Sequence, residues 1–231
     1  HEKTGRSNLV ICVPEPGKLS MQYVRNEYPS YGTGDFRSPA FRVLQKNGSR
    51  ISDFKYVKYD ILKGKPSIFP LPSTYTDNDD EAETLIITLK DGVTNTELKL
   101  YYTIYAEFIH NGDEEIFLER ALSFSAEFLD KDYEMLQFSG SWGRERFIKK
   151  RRLEQGVQSV GSLLGTSSSA GHNPFIAIAR PDATEDKGEI YGFNLVYSGN
   201  FLAQVEVSTH DMTRVMLGIH PEGFSWKLEK G

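Results

Sequence analysis

The chain has 231 residues, 39% of them hydrophobic and 26% charged, with a formal net charge of −5. That is an ordinary globular composition with chain enough to bury a core without disulfides, and its charge gives no footing for nucleic acid. The single cysteine, Cys12, excludes an intrachain disulfide and a cysteine-held metal centre, and no apolar run approaches the ~20 residues of a membrane helix.

The opening residues, from His1 to Arg6, have no apolar run behind them, so no signal peptide is expected in the sequence as given. A reducing, cytoplasmic setting is the matching expectation. The missing initial methionine predicts a piece of a longer chain. Residues 1–30 lack periodicity, and Pro14 and Pro16 interrupt any regular element. The stretch from Glu27 to Phe41 mixes Tyr, Phe, Gly and Pro, which predicts an ordered loop leading into a strand.

From there the pattern is β throughout. Strands are predicted at 41–45, 85–89, 98–105, 116–124, 133–138, 147–153, 175–179, 191–197, 201–207, 213–219 and 224–228, all rich in Tyr, Phe, Val, Ile and Thr. Asn47-Gly48, Asp91-Gly92 and Asn111-Gly112 each lie near apolar runs and predict antiparallel hairpins, because these dipeptides supply positive φ cheaply. No segment carries a capped i, i+3, i+4, i+7 stripe. The expected fold is therefore all-β, a large antiparallel sandwich with few or no long helices, in a single domain over 1–231.

Several chemistries are excluded or weak. The acidic run Asp77–Glu83 has Ala82 where a calcium loop needs glycine, so it reads as a solvated loop. Gly32-Thr-Gly34 has Arg37 in place of a third glycine, and Gly165 to Gly171 is followed by His172-Asn173 rather than Lys-Ser or Lys-Thr. No nucleotide cofactor is expected, and the five scattered histidines predict no metal. A serine elbow is absent, since Gly140-Ser-Trp-Gly143 is one residue short. The basic run from Lys149 to Arg152 reads as a solvated strand edge. Gly161 to Pro174 has linker composition, yet a strong strand follows it, so it reads equally as an ordered loop over a site.

The stretch with most chemical promise is Phe138-Ser-Gly-Ser-Trp-Gly-Arg-Glu-Arg-Phe147. Trp142 lies in a Gly-rich bend followed by Arg144-Glu145-Arg146. One reading offers its ring to a sugar, whose C–H face stacks on the π surface; the other has it closing one end of a β core. Ser141, and His172 and Asn173 in the Ser-rich segment, are weaker binding candidates. No self-sufficient catalytic constellation stands out.

These segments together resemble one family. The stretch from Glu27 to Ala40, Gly140-Ser-Trp-Gly-Arg-Glu-Arg146, Ser167 to Ala177, Gly188 to Phe201, and Gly218 to Leu228 are similar to the N-terminal domain of glycoside hydrolase family 36 α-galactosidases. The similarity runs from Leu19 to the C-terminus, leaving 1–18 as a poorly matched lead-in. It implies a β-supersandwich related to galactose mutarotase, followed in the family by a (β/α)8 barrel that carries two catalytic aspartates for retaining hydrolysis. It implies no catalytic residue in this chain, Trp142 as a wall of the galactose pocket, an α-galactoside of raffinose or melibiose type as substrate, and a homotetramer. The alternatives are a stand-alone carbohydrate-binding or assembly module and a mutarotase-like isomerase. One departure stands out. The step from Glu107 to Phe108 is short where relatives carry a further strand, which raises the expectation of an omitted segment and a spatial break.

Overall fold

A computed structural model describes residues 25–32, 34–69, 76–78, 81–102, 105–166 and 171–231. Cys12 and the lead-in 1–18 lie outside them, as do Asp79 and Asp80 of the acidic run and residues 167–170 of the Ser-rich segment. About 55% of the described residues are strand and essentially none are helix, as expected for an antiparallel β-supersandwich. The strands are β1 Phe41–Gln45, β2 Phe54–Lys63, β3 Glu83–Asp91, β4 Thr96–Tyr102, β5 Tyr105–His110, β6 Ile116–Phe128, β7 Glu134–Ser141, β8 Arg144–Arg152, β9 Gly156–Ser162, β10 His172–Ala179, β11 Ile190–Asn194, β12 Phe201–Val207, β13 Thr213–Ile219 and β14 Trp226–Leu228. They build sheets in the orders β1-β6-β13-β12-β9 (with β14 on β6), β11-β10-β7-β8 and β2-β3-β4-β5.

The described residues form two compact units, Val43–Leu118 with Trp226–Gly231, and 25–42 with Glu119–Ser225. In the first unit, β2, β3, β4 and β5 form a meander. Leu89, Leu98 and Leu100 are buried on one of its faces. In the second unit, alternate residues of β7 and β10 meet alternate residues of β9, β12 and β13. Met135, Ile176 and Ile178 pack there with Val160, Phe201, Val205, Val215 and Leu217 as one core. Period-two burial on strands from two sheets is what a sandwich requires.

Three strands escape the sequence pattern. β2 has exposed residues on both faces, β9 is Gly-Val-Gln-Ser-Val-Gly-Ser, and β5 begins at Tyr105, where the sequence reads the end of the preceding strand. Two of the three predicted hairpins are also different in kind. Asp91 and Thr96 do close a hairpin between β3 and β4, but the positive φ falls on Asn95 rather than Gly92. The Asp91 carboxylate holds that turn, accepting from the Thr94 N–H at 2.8 Å and the Asp53 N–H at 2.9 Å. Asn47-Gly48 and Asn111-Gly112 instead join strands that pair in different sheets. Gly112 is needed for close approach, since a Cβ there would meet the Thr94 carbonyl oxygen at 2.4 Å.

The expected break between Glu107 and Phe108 is not found. Both lie inside β5, opposite Lys99 and Leu98 of β4, with the ladder unbroken from Tyr105 to His110.

Candidate functional site

The candidate residues gather at one end of the sheet β11-β10-β7-β8. Ser139 faces Phe147 and Ser141 faces Arg144, so Gly140 alone opposes Glu145 and Arg146. This is a β-bulge on β8, and such a bulge bends a strand and re-aims its side chains. Arg146 takes φ +63°, a left-handed conformation that a branched or long residue adopts only when its surroundings impose it. Gly140 makes the bulge possible: a Cβ there would lie 2.1 Å from the Arg144 carbonyl oxygen.

The turn itself is Trp142-Gly143. Gly143 supplies φ +75°, and its N–H donates to the Glu145 carboxylate at 2.8 Å. Trp142 is 91% exposed. The core-closing reading of this residue therefore fails; the ring stands clear on a turn fixed by a bulge, a glycine and a side-chain hydrogen bond.

His172 begins β10 opposite Ser139, and the Gly140 N–H donates to the Gly171 carbonyl at 3.0 Å. A polar chain crosses this end of the sheet. Arg151 donates to Gln137 at 2.7 Å, Gln137 to the Ser139 hydroxyl at 2.7 Å, and that hydroxyl lies 3.1 Å from His172 Nδ1. Asn173 sits in a second irregularity, where Ser139 and Gln137 face His172 and Ile176 and three residues of β10 oppose one of β7. The four sequence candidates, Ser141, Trp142, His172 and Asn173, thus share one end of one sheet. None is placed with a carboxylate pair, and among the described residues no group of three His, Cys, Asp or Glu could hold a metal.

The run Lys149–Arg152 is on the edge strand β8, whose nine residues are all exposed. Lys149 to Arg152 sit opposite Gln137 to Glu134, and Arg152 pairs with Asp132. Its reading as a solvated edge holds. The described parts of the Ser-rich segment are tied down: the Gly165 N–H donates to Asn200 at 2.7 Å and the Ser162 hydroxyl to the Thr166 carbonyl at 2.6 Å.

One group was invisible in the sequence. In the second unit Asp35, Arg37, Glu127 and Arg214 form a buried ion network. Arg37 donates to Asp35 at 2.8 and 2.9 Å and to Glu127 at 3.1 Å; Arg214 donates to Glu127, to Asp35 and to the Ser38 carbonyl at 2.7 Å. Burial pushes the Asp35 carboxyl up, but the hydrogen bond from Arg37 and the charges of Arg214 and Arg37 outweigh it and hold it below the usual carboxylate range. Because Asp35 and Arg37 are both buried, Phe36 between them is turned outward, 86% exposed. Nothing in the spacing reveals this, since the four charges come from residues up to 179 apart.

The Glycosyl hydrolase family 36 N-terminal domain profile matches residues 3–229. Alpha-galactosidase AgaA of Geobacillus stearothermophilus is 44% identical over 227 residues, covering 94% of this chain and 31% of that protein. Probable alpha-galactosidase G of Aspergillus terreus is 40% identical over 217 residues, covering 90% and 30%. Among solved structures, the alpha-galactosidase of Lactobacillus brevis superposes with a TM-score of 0.87 at 40% identity, over 96% of this chain and 31% of that one. AgaA superposes with a TM-score of 0.85 at 42% identity, over 95% and 32%, and AgaA variants are known in complex with raffinose and with stachyose. The chain spans about a third of the length of the relatives it matches.

Proposed function

Since this chain belongs to the glycosyl hydrolase family 36 N-terminal domain family, we propose that it is the non-catalytic N-terminal domain of a retaining α-galactosidase acting on terminal α-galactosides of raffinose or melibiose type. On this reading both compact units form one domain, working in the cytoplasm within a homotetramer. The bond-breaking carboxylate pair belongs to a barrel, one group attacking the anomeric carbon while the other protonates the leaving oxygen.

The role of the present residues is binding. The observation that carries this is Trp142: a 91% exposed indole on a conformationally fixed turn. An exposed, pre-set ring loses little freedom when it contacts ligand, and its face suits the apolar C–H face of galactose. Ser141, His172 and Asn173 offer hydroxyl, imidazole and amide groups at the same end of the sheet, where sugar hydroxyls need donors and acceptors. The single cysteine supports a reducing setting.

The test is Trp142→Ala in the full-length enzyme. A lost stacking face of about 1 kcal/mol raises KM for raffinose about fivefold, with folding intact because the ring is 91% exposed. An unchanged KM in a correctly folded oligomer sinks the pocket role.

A further inference from the structure

The geometry points to Glu145 as a positioning residue for the galactoside: its carboxylate holds the Trp142-Gly143 turn in a shape the flanking strands disfavour, and so fixes where the indole stands. This rests on the binding role proposed for Trp142 and names the side chain that sets it. Ser141 faces Arg144, so Trp142 and Gly143 are the two central residues of the hairpin turn between β7 and β8. Two-residue hairpins favour the primed turn types, which place positive φ on the first central residue and match the twist of the strands they join. Here the positive value, +75°, falls on Gly143 and not on Trp142. Positive φ at the second position alone matches a type II turn, whose twist splays the strands. The indole accounts for the choice, because positive φ is costly for a bulky residue with a Cβ.

Two features counter the splay. The bulge on β8, with Arg146 at φ +63°, adds local twist just beyond the turn. Glu145 supplies the other: its Oε1 accepts from the Gly143 N–H at 2.8 Å and ties the tip of the turn to the bulge. The flanking side chains, Arg144 and Arg146, are donors only and cannot take over as acceptor. Without this bond the Gly143 N–H returns to solvent and the turn relaxes, carrying Trp142 with it. A ring whose orientation is set before the sugar arrives gives up little freedom on contact; a ring that must be ordered by the sugar gives up more, and the contact is weakened by that amount. The effect falls on binding. Glu145 acts through the indole and touches no reacting atom, so its loss raises KM and leaves kcat unchanged.

The experiment is steady-state kinetics on raffinose with the full-length enzyme, alongside amide hydrogen exchange of residues 139–147. Glu145→Ala raises KM about threefold with kcat unchanged, short of the roughly fivefold rise for Trp142→Ala, and speeds exchange at Gly143. Glu145→Gln keeps an acceptor oxygen at the same reach, so KM stays within about 1.5-fold of the unaltered enzyme and exchange stays slow. Trp142→Ala combined with Glu145→Ala raises KM no further than Trp142→Ala alone, because Glu145 works through the ring. Glu145 is exposed on β8, so folding is preserved, which circular dichroism verifies. Additive losses in the double variant overturn the proposal, since they mean that Glu145 acts by some route other than the indole. So does unchanged exchange at Gly143 in Glu145→Ala, or a Glu145→Gln enzyme that behaves like Glu145→Ala. An unchanged KM in Glu145→Ala where Trp142→Ala raises it removes the positioning role and leaves the pocket role of the ring standing. An unchanged KM in both removes the two roles together.

Discussion

Replacing Arg214 by Met tests whether the buried ion network holds the second unit together. The Arg214 side chain is 0% exposed, and those of Asp35 and Glu127 are 1% exposed. Its guanidinium donates to both carboxylates and to the Ser38 carbonyl. Methionine fills much of the volume but leaves two buried carboxylates facing the single cation of Arg37, and a carbonyl without its donor. Removing one member of a buried ion pair costs about 3–5 kcal/mol, because the remaining charge stays desolvated. For a chain of this size each kcal/mol moves Tm by about 2–4 °C, so the expected drop is roughly 6–20 °C. Far-UV circular dichroism is the suitable probe. Both tryptophans, Trp142 and Trp226, are already exposed in the fold, so their emission reports unfolding poorly. Arg214→Lys keeps the charge without the planar fork and should fall between the two. Adding Asp35→Asn to Arg214→Met should return part of the loss, because one uncompensated charge disappears. A Tm within about 3 °C of the unaltered protein for Arg214→Met would refute the reasoning, as would an Asp35→Asn addition that only deepens the loss.

The other predictions concern pH and the Trp142 turn. Asp35 has a folded pKa below its unfolded value, so its contribution to stability is fully present above the ordinary carboxylate range and is lost as pH falls through the depressed folded value. Acid titration of the unfolding free energy should therefore fall less steeply in Asp35→Asn below about pH 4 than in the unaltered protein; parallel curves would remove Asp35 from the linkage. Gly140→Ala drives a Cβ into the Arg144 carbonyl oxygen and the Glu145 Cα, backbone atoms that cannot step aside. It should cost roughly 1–3 kcal/mol and open the bulge, seen as faster amide exchange from Ser139 to Phe147; unchanged exchange would mean the turn is held by something else. In the full-length enzyme the same substitution should raise KM for raffinose at least as much as Trp142→Ala, since it displaces the ring's support as well as the ring.

Much was legible in the residues alone. The all-β class followed from aromatic and β-branched runs without any helical stripe, and those runs located eleven of the fourteen strands among the described residues. Without a buried face the signal is weaker, although β8 is legible with all nine of its residues exposed. Both faces of β2 meet solvent, and β9 is made of small and polar residues. β9 is a strand because β12 pairs with it from Gly156 to Ser162. The turn dipeptides marked changes of direction but not which strands they would join, since Asn-Gly fixes local φ and says nothing about sheet membership.

The Trp142 stretch shows the same division. Its Gly-rich neighbourhood and the binding residue types were visible in order along the chain. Whether the indole faced a core or solvent was not, because that depends on a bulge set by Arg146 at positive φ and on Gly171 closing against Gly140 from another strand. Asp35 and Arg37 likewise read as two ordinary polar residues in a loop. Only folding brings Glu127 and Arg214 to them, and only in that buried setting do four charges become a clamp that leaves Phe36 outside. The sequence by itself determined which elements could form; long-range pairing decided which side chains each element would bury, because burial is a property of the partner surface as much as of the residue.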